Sequence, residues 1–363
     1  MPPRRVPTRP PLRRALAAAA GALVAGAGVV ALLGLLCGVA PGARAELASG
    51  ERAAILALGP WPQPPVHDPA NPASGDALGI ALGESLFHSP RLSPTGLRCA
   101  SCHEPWRGFV DARVRAQGVA VGSRNTPSLL DAARHRRFGW DGGRDALWAQ
   151  SLRPLADPRE MPATDAQVAA LVRGDAMLAA RYAKVFGQAP GADDARVTHD
   201  VGLALSAYVE TLASPRTPFD DWRDRVAAGL PSAAAPLPDA ALRGLRLFTG
   251  PAGCAACHAG PTLSDDALHA SLVHSLDADG RPDDGHPGAI PNAFRTPGLR
   301  GVASTGPWLH DGSAATLCDA VRPHAADPGT PPPSLTGAQR SDLVAFLRAL
   351  SARPPDEPAA CGD

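Results

Sequence analysis

An all-α fold made of two copies of one helical unit is predicted by three features of this sequence. The pentapeptide Cys-x-x-Cys-His occurs twice, as Cys99-Ala-Ser-Cys102-His103 and Cys254-Ala-Ala-Cys257-His258. Matching landmarks follow each copy, because Thr126-Pro127 stands as far ahead of Asp141-Gly142 as Thr296-Pro297 stands ahead of Asp311-Gly312. Apolar residues recur at helical spacing around both copies, and strand patterns are weak throughout.

In each pentapeptide the two thiols have the spacing to add across the vinyl groups of one haem, which leaves the adjoining imidazole beneath the iron as its proximal ligand. Zinc is the alternative reading of Cys-x-x-Cys. Its paired half-sites usually lie about 15 to 20 residues apart, whereas here the copies are distant and each has its own histidine. The residues therefore predict two cytochrome c-like domains related by internal duplication, each with one covalently bound c-type haem. Cys99, Cys102, Cys254 and Cys257 are the attachment points, and His103 and His258 the iron ligands.

The elements follow in chain order. Residues 1–14 carry five arginines and no acid, an uncharged Ala/Leu-rich stretch runs from Ala15 to Gly42, and Ala43-Arg44-Ala45 offers a small-residue cleavage site. This pattern predicts a signal peptide at 1–45 and export to the periplasm. An uncleaved anchor is the alternative, because the apolar run is long enough to span a bilayer. Covalent haem suits the same oxidising space. Cleavage removes six of the 35 basic side chains and none of the 35 acidic ones, so the mature chain has 29 against 35, a net −6. With Lys184 the only lysine and no basic run, nothing predicts nucleic acid or an anionic membrane surface as a partner.

The mature length exceeds a single small core and predicts two modest domains. In the N-terminal one, 46–230, Gly83-Glu-Ser-Leu-Phe87 leads into the first motif and Leu203-Ala-Leu-Ser-Ala-Tyr-Val-Glu-Thr-Leu212 closes the copy. A Pro/Ala-rich linker at 231–240 follows. In the C-terminal domain, 241–352, Gly244-Leu-Arg-Leu-Phe248 and Leu343-Val-Ala-Phe-Leu-Arg-Ala-Leu350 play the same parts, and 353–363 is a tail.

Register between the copies predicts an asymmetry. Pro154 lies as far beyond Asp141 as His324 lies beyond Asp311. Proline cannot ligate iron and histidine can, so one haem is expected to keep an open sixth position and the other to be closed by His324. The methionines are Met1, Met161 and Met177 and the tyrosines Tyr182 and Tyr208, so the second copy has neither. His310 is the alternative ligand; His269, His274 and His286 sit in a Gly/Asp-rich loop. After the haem thiols and Cys37 are set aside, Cys318 and Cys361 remain as a candidate disulfide.

The ordered set Arg124-Asn-Thr-Pro-Ser-Leu, Trp140-Asp-Gly-Gly-Arg144, Asp157-Pro-Arg-Glu-Met161, Phe294-Arg-Thr-Pro-Gly-Leu-Arg300 and Leu309-His-Asp-Gly312, placed around the two haem motifs, resembles the bacterial di-haem cytochrome c peroxidase and MauG family. The resemblance implies an N-terminal haem that binds hydrogen peroxide and a C-terminal haem that receives or stores electrons. It implies that Glu160 moves a proton between the peroxide oxygens, that Gln150 and Pro154 occupy the distal side, and that Trp140 relays charge between haems. It also implies a calcium ion held by Asn125, with Thr305 and Pro307 contributing main-chain carbonyls. Family members that need reductive activation carry a histidine in the loop after the first motif. Here His103 is followed by none until His135, so the oxidised protein is expected to react with peroxide directly.

At the second haem, His324 stands where the family has methionine or tyrosine. Two nitrogen ligands favour ferric iron, which tilts the expectation toward MauG-like oxidation of a partner protein's residue, as in the tryptophan-oxidising enzymes of methanobactin systems. The MauG surface tryptophan before the second motif has no counterpart, because Pro251-Ala-Gly253 stands there. The alternatives are a peroxidase that draws electrons from a small redox protein, and a di-haem electron carrier with both irons closed.

Overall fold

Helix α2 (Ala77–Phe87) crosses α6 (Asp194–Val209) at Gly83, where a Cβ would lie 1.9 Å from the carbonyl oxygen of Ala204. Helix α8 (Asp239–Thr249) crosses α10 (Gly337–Ala349) at Gly244 in the same way, with the carbonyl oxygen of Asp342 at 1.9 Å. The glycine of each Gly-x-x-x-Phe segment is thus the point of backbone contact, and any side chain there would force the helices apart. The phenylalanine four residues on fills the space beside each crossing. Phe87 packs on Tyr208 with ring centroids 5.1 Å apart, and Phe248 on Phe346 at 5.1 Å. Side chains of this size contribute about 1.5–3 kcal/mol each on full burial.

This computed structural model describes residues 47–288, 290–324, 334–354 and 360–362. The segment read as a signal peptide lies outside the described residues, and among those described no helix is long and apolar enough to cross a membrane. The remaining helices are α1 (Ser49–Leu56), α3 (Leu147–Ala156), α4 (Asp165–Gly174), α5 (Ala176–Phe186), α7 (Pro218–Ala227) and α9 (Leu317–Val321). Capping boxes open α4, α7, α9 and α10, formed by Thr164 with Gln167, Thr217 with Asp220, Thr316 with Asp319 and Thr336 with Gln339. Long irregular segments join the helices. The all-α expectation needs one correction, a two-stranded antiparallel sheet of β1 (Leu268–Ala270) and β2 (Ala293–Arg295), with His269 opposite Phe294. Strands of three residues are too short to show a two-residue period.

Residues 49–363 form one compact unit. Helix α8 begins at Asp239, inside the predicted 231–240 linker. Two elements ahead of that linker pack on the second half. Glu51 of α1 pairs with Arg246, and α7 places Phe219 on Phe346 and Asp220 in a buried pair with Arg300 at 3.1 Å. The Arg300 guanidinium also lies 4.0 Å from the Trp61 ring centre, tying the N-terminal segment down by cation–π attraction.

Cys318 and Cys361 are joined in a disulfide that closes 43 residues of chain. Closing a loop of this size constrains the unfolded chain, so Cys361→Ser is expected to cost about 2 to 4 kcal/mol, read as a lower denaturation midpoint whose difference disappears under reductant.

Candidate active site

Both pentapeptides fold into the same local structure. A short 3-10 turn, Cys99–Ser101 or Cys254–Ala256, carries the two cysteines, and the histidine that follows bonds back to the first cysteine's carbonyl oxygen at 2.9 Å. The His103 Nδ1 lies 3.0 Å from the Phe109 carbonyl oxygen, and the His258 Nδ1 lies 3.1 Å from that of Leu263. A carbonyl only accepts, so in each ring Nδ1 is the donor and Nε2 keeps its lone pair, the tautomer a metal ligand requires. Burial pushes the His258 imidazole down to about 4 and lowers His103 as well, which keeps both neutral. It also raises the Cys99 thiol to about 12 and the Cys254 thiol to about 11. No motif cysteine is in a disulfide. Neutral thiols beside a neutral imidazole in an apolar crevice fit a covalently attached porphyrin.

The second site gives the sharper test. The His324 ring faces the His258 ring with centroids 6.3 Å apart and planes at 44°. Two metal–nitrogen bonds of about 2 Å on a common axis, each with a ring centre about 1 Å beyond its nitrogen, require a separation of about 6 Å. His324 Nδ1 donates to the Ala320 carbonyl oxygen at 2.6 Å, which again leaves the lone pair on Nε2. Phe248, Cys254, Cys257, Leu343 and Leu347 line the cavity between the imidazoles. The alternative ligand His310 is committed elsewhere. Its buried ring stacks on Phe294 at 3.7 Å and its Nε2 meets the Ser275 hydroxyl at 3.0 Å.

On the first side, α3 carries Gln150 and Pro154, and the turn after it returns Glu160. Hydrogen bonds from the Met161 amide to the Pro154 carbonyl and from the Glu160 amide to the Asp157 carbonyl fold this turn back on the helix. Pro154 has no N–H to give the Gln150 carbonyl, so the last turn of α3 is loosened where Gln150 sits. Burial raises the Cys99 and Cys102 thiols, and the nearby Glu160 charge adds to the rise, which puts this carboxylate in the neighbourhood of the first motif. Sequence reasoning missed its partner: Arg153 Nη1 lies 2.5 Å from Glu160 Oε1. Burial raises the Glu160 carboxyl above the ordinary range and the Arg153 cation opposes that rise.

The loop from Ala116 to Ser123 is clamped against the turn that carries Glu160. Amides of Val119 and Ala120 donate to the carbonyls of Glu160 and Arg159, both at 3.0 Å, and a Cβ on Gly118 would meet the Glu160 carbonyl oxygen at 2.4 Å. Gly118→Ala is therefore expected to displace the Glu160 backbone and to destabilise the protein by about 1–3 kcal/mol through overpacking, read as a lower melting temperature together with slower reaction with peroxide.

Trp140 is held through both its indole and its main chain. Its indole N–H donates to the Asn125 carbonyl oxygen at 2.8 Å, its own carbonyl accepts from the Arg295 amide at 2.8 Å, and it lines the second cavity. Next to it, Gly139 lies against the Gln150 amide oxygen. Arg124, whose pairing the sequence did not show, bonds Asp141 at 2.8 Å and Asp283 at 2.7 Å, fixing this wall to the segment that leads into β2. Asn125, Thr305 and Pro307 line the same cavity, and the Asn125 amide nitrogen donates to the carbonyls of Arg113 and Val114, which leaves its side-chain oxygen as the atom able to ligate a cation. These are neutral oxygens of a type that calcium accepts.

Comparison with known proteins places this geometry in context. Residues 77–227 match the sequence profile described as di-haem cytochrome c peroxidase. The chain is 36% identical over 334 residues to the methylamine utilization protein MauG of Methylorubrum extorquens, covering 88% of this chain and 90% of that protein. It is 32% identical to the cytochrome c551 peroxidase of Nitrosomonas europaea, covering 76% and 80%. Among solved structures, the diheme peroxidase BthA from Burkholderia thailandensis superimposes with a TM-score of 0.67 at 27% identity, over 79% of this chain and 90% of that one. A MauG-like protein associated with microbial copper homeostasis gives 0.64 at 27% identity, over 84% and 96%.

Proposed function

Because the chain belongs to the di-haem cytochrome c peroxidase family, we propose that it is a periplasmic oxidoreductase that takes hydrogen peroxide at an open first haem and passes the oxidising equivalents through a six-coordinate second haem to a residue of a partner protein. Two duplicated cytochrome c-like halves hold the haems, through Cys99, Cys102 and His103 and through Cys254, Cys257, His258 and His324. The observation that carries this reading is the contrast between the His258–His324 pair, 6.3 Å apart, and Pro154, which offers no ligand at the position equivalent to His324. Bound haem supplies the redox chemistry of the two centres.

The chain's own residues do the rest. Glu160 accepts the proton from the near oxygen of peroxide and returns it to the far oxygen, which leaves as water. Arg153 holds that carboxylate in place, Gln150 offers an amide donor beside it, and Trp140 bridges toward the second site. Asn125, Thr305 and Pro307 would hold calcium at the junction, with water completing the shell. Export is supported by the N-terminal pattern and by the Cys318–Cys361 disulfide.

A second reading, peroxide reduction with electrons from a small redox protein, is favoured by the similarity to the Nitrosomonas europaea peroxidase. Rapid mixing of the fully oxidised holoprotein with peroxide tests the shared step: the Soret band is expected to shift without prior reduction, and an unmoved band rejects direct reaction. Mass analysis of candidate partners, set against oxidation of a reduced cytochrome or copper protein, separates the two readings.

A further inference from the structure

Trp106 is the most exposed large hydrophobic side chain among the described residues, at 78%, while the tryptophans at 61 and 222 are buried and those at 140, 148 and 308 are partly buried. It contributes almost no burial to stability. Its position is unusual in a second respect, which does not depend on exposure. Trp106 lies three residues after the proximal His103, so its Cα is at most about 11 Å from that of the histidine. The intervening loop is stiff. Pro105–Arg107 is a 3-10 turn, Glu104 and Val110 bridge across its base, Glu104 and Arg107 pair at 3.0 Å, and the Ser128 hydroxyl donates to the Gly108 carbonyl at 2.6 Å. The far end of the loop is Phe109, whose carbonyl accepts from His103 Nδ1. The indole is therefore joined to the proximal imidazole by a short covalent path and by a hydrogen-bonded one, and it ends in water.

We infer that Trp106 is a surface outlet of the first haem site, and that its indole is oxidised when no partner drains the second site. The inference rests on the proposed reaction with peroxide. In the outlet step the indole loses two electrons and two protons as a solvent water adds, so that a C–H bond is replaced by C–OH. Those electrons and protons reduce peroxide to two waters, and the net change is tryptophan plus hydrogen peroxide to hydroxytryptophan plus water. Charge leaves through the protein, so the inserted oxygen comes from solvent.

The test is peptide mass analysis of the oxidised holoprotein after a few equivalents of peroxide in water enriched in oxygen-18, with peroxide loss and the Soret band followed in the same sample. Met177, 54% exposed, reports direct oxidation by free peroxide, which delivers unlabelled oxygen. Expected is one labelled oxygen on Trp106, with Met177 largely intact and the other tryptophans unlabelled. In Trp106→Phe the labelled peptide should be lost while the Soret response persists. Peroxide consumed with Trp106 unmodified, or Trp106 carrying only unlabelled oxygen at the pace of Met177, overturns the outlet and leaves the proposed function standing. If peroxide is not consumed and the Soret band does not move, both fail together.

Discussion

Glu160→Gln is expected to slow the reaction of the oxidised holoprotein with hydrogen peroxide by about 10²- to 10⁴-fold, the usual worth of a positioned acid–base group. The amide keeps the size and hydrogen-bonding reach of the carboxylate but cannot carry a proton from one peroxide oxygen to the other. The pH profile separates this role from a structural one. In the proposed role Glu160 works as a base in its ionised form, so the rate should fall as pH drops through its pKa. Burial raises that pKa above the ordinary range, which puts the falling limb at higher pH than an exposed glutamate would give. The limb should vanish in the Gln variant. In Arg153→Gln it should move to still higher pH, because the cation that opposes the rise is gone. A stopped-flow rate profile that keeps its acid limb in Glu160→Gln assigns the proton transfer to another group.

His324→Ala is expected to convert the second haem from low spin to high spin, leaving an oxidised protein with no low-spin ferric signal in electron paramagnetic resonance. The first haem should be little changed. Oxidation of the partner, which depends on the closed second centre, should fall by at least about tenfold, on the scale of losses seen when metal-site ligation is disturbed. His310→Ala is the control. Its buried ring is packed on Phe294 and bonded to Ser275, so its loss should cost about 1–3 kcal/mol of stability by removing a packed ring and its hydrogen bond, with the low-spin signal intact. Should His324→Ala retain the signal while His310→Ala loses it, the ligand assignment is reversed.

The two Cys-x-x-Cys-His motifs were readable because the proposed haem attachment needs a fixed local spacing. His324 was reachable only by setting one half of the chain against the other, a comparison the matched offsets of Asp141 and Asp311 permit. Arg153 gave no such signal. A lone arginine on an amphipathic helix reads as solvated, and only the return of the chain through Asp157 brings Glu160 against it. The clamp on the loop around Gly118 was equally silent, because its hydrogen bonds run to main-chain atoms some forty residues on.

By itself the sequence marked the two Cys-x-x-Cys-His motifs and, through the repeat between the halves, set Pro154 against His324, since each depends on residue identity at short or repeated spacing. The tertiary structure alone decided which groups face one another across the chain: His324 toward His258, Arg153 toward Glu160, and α1 and α7 onto the second half rather than the first. The physical reason is that these contacts are fixed by how helices pack and where backbone carbonyls fall, and the side chains involved have no local pattern that encodes their partners.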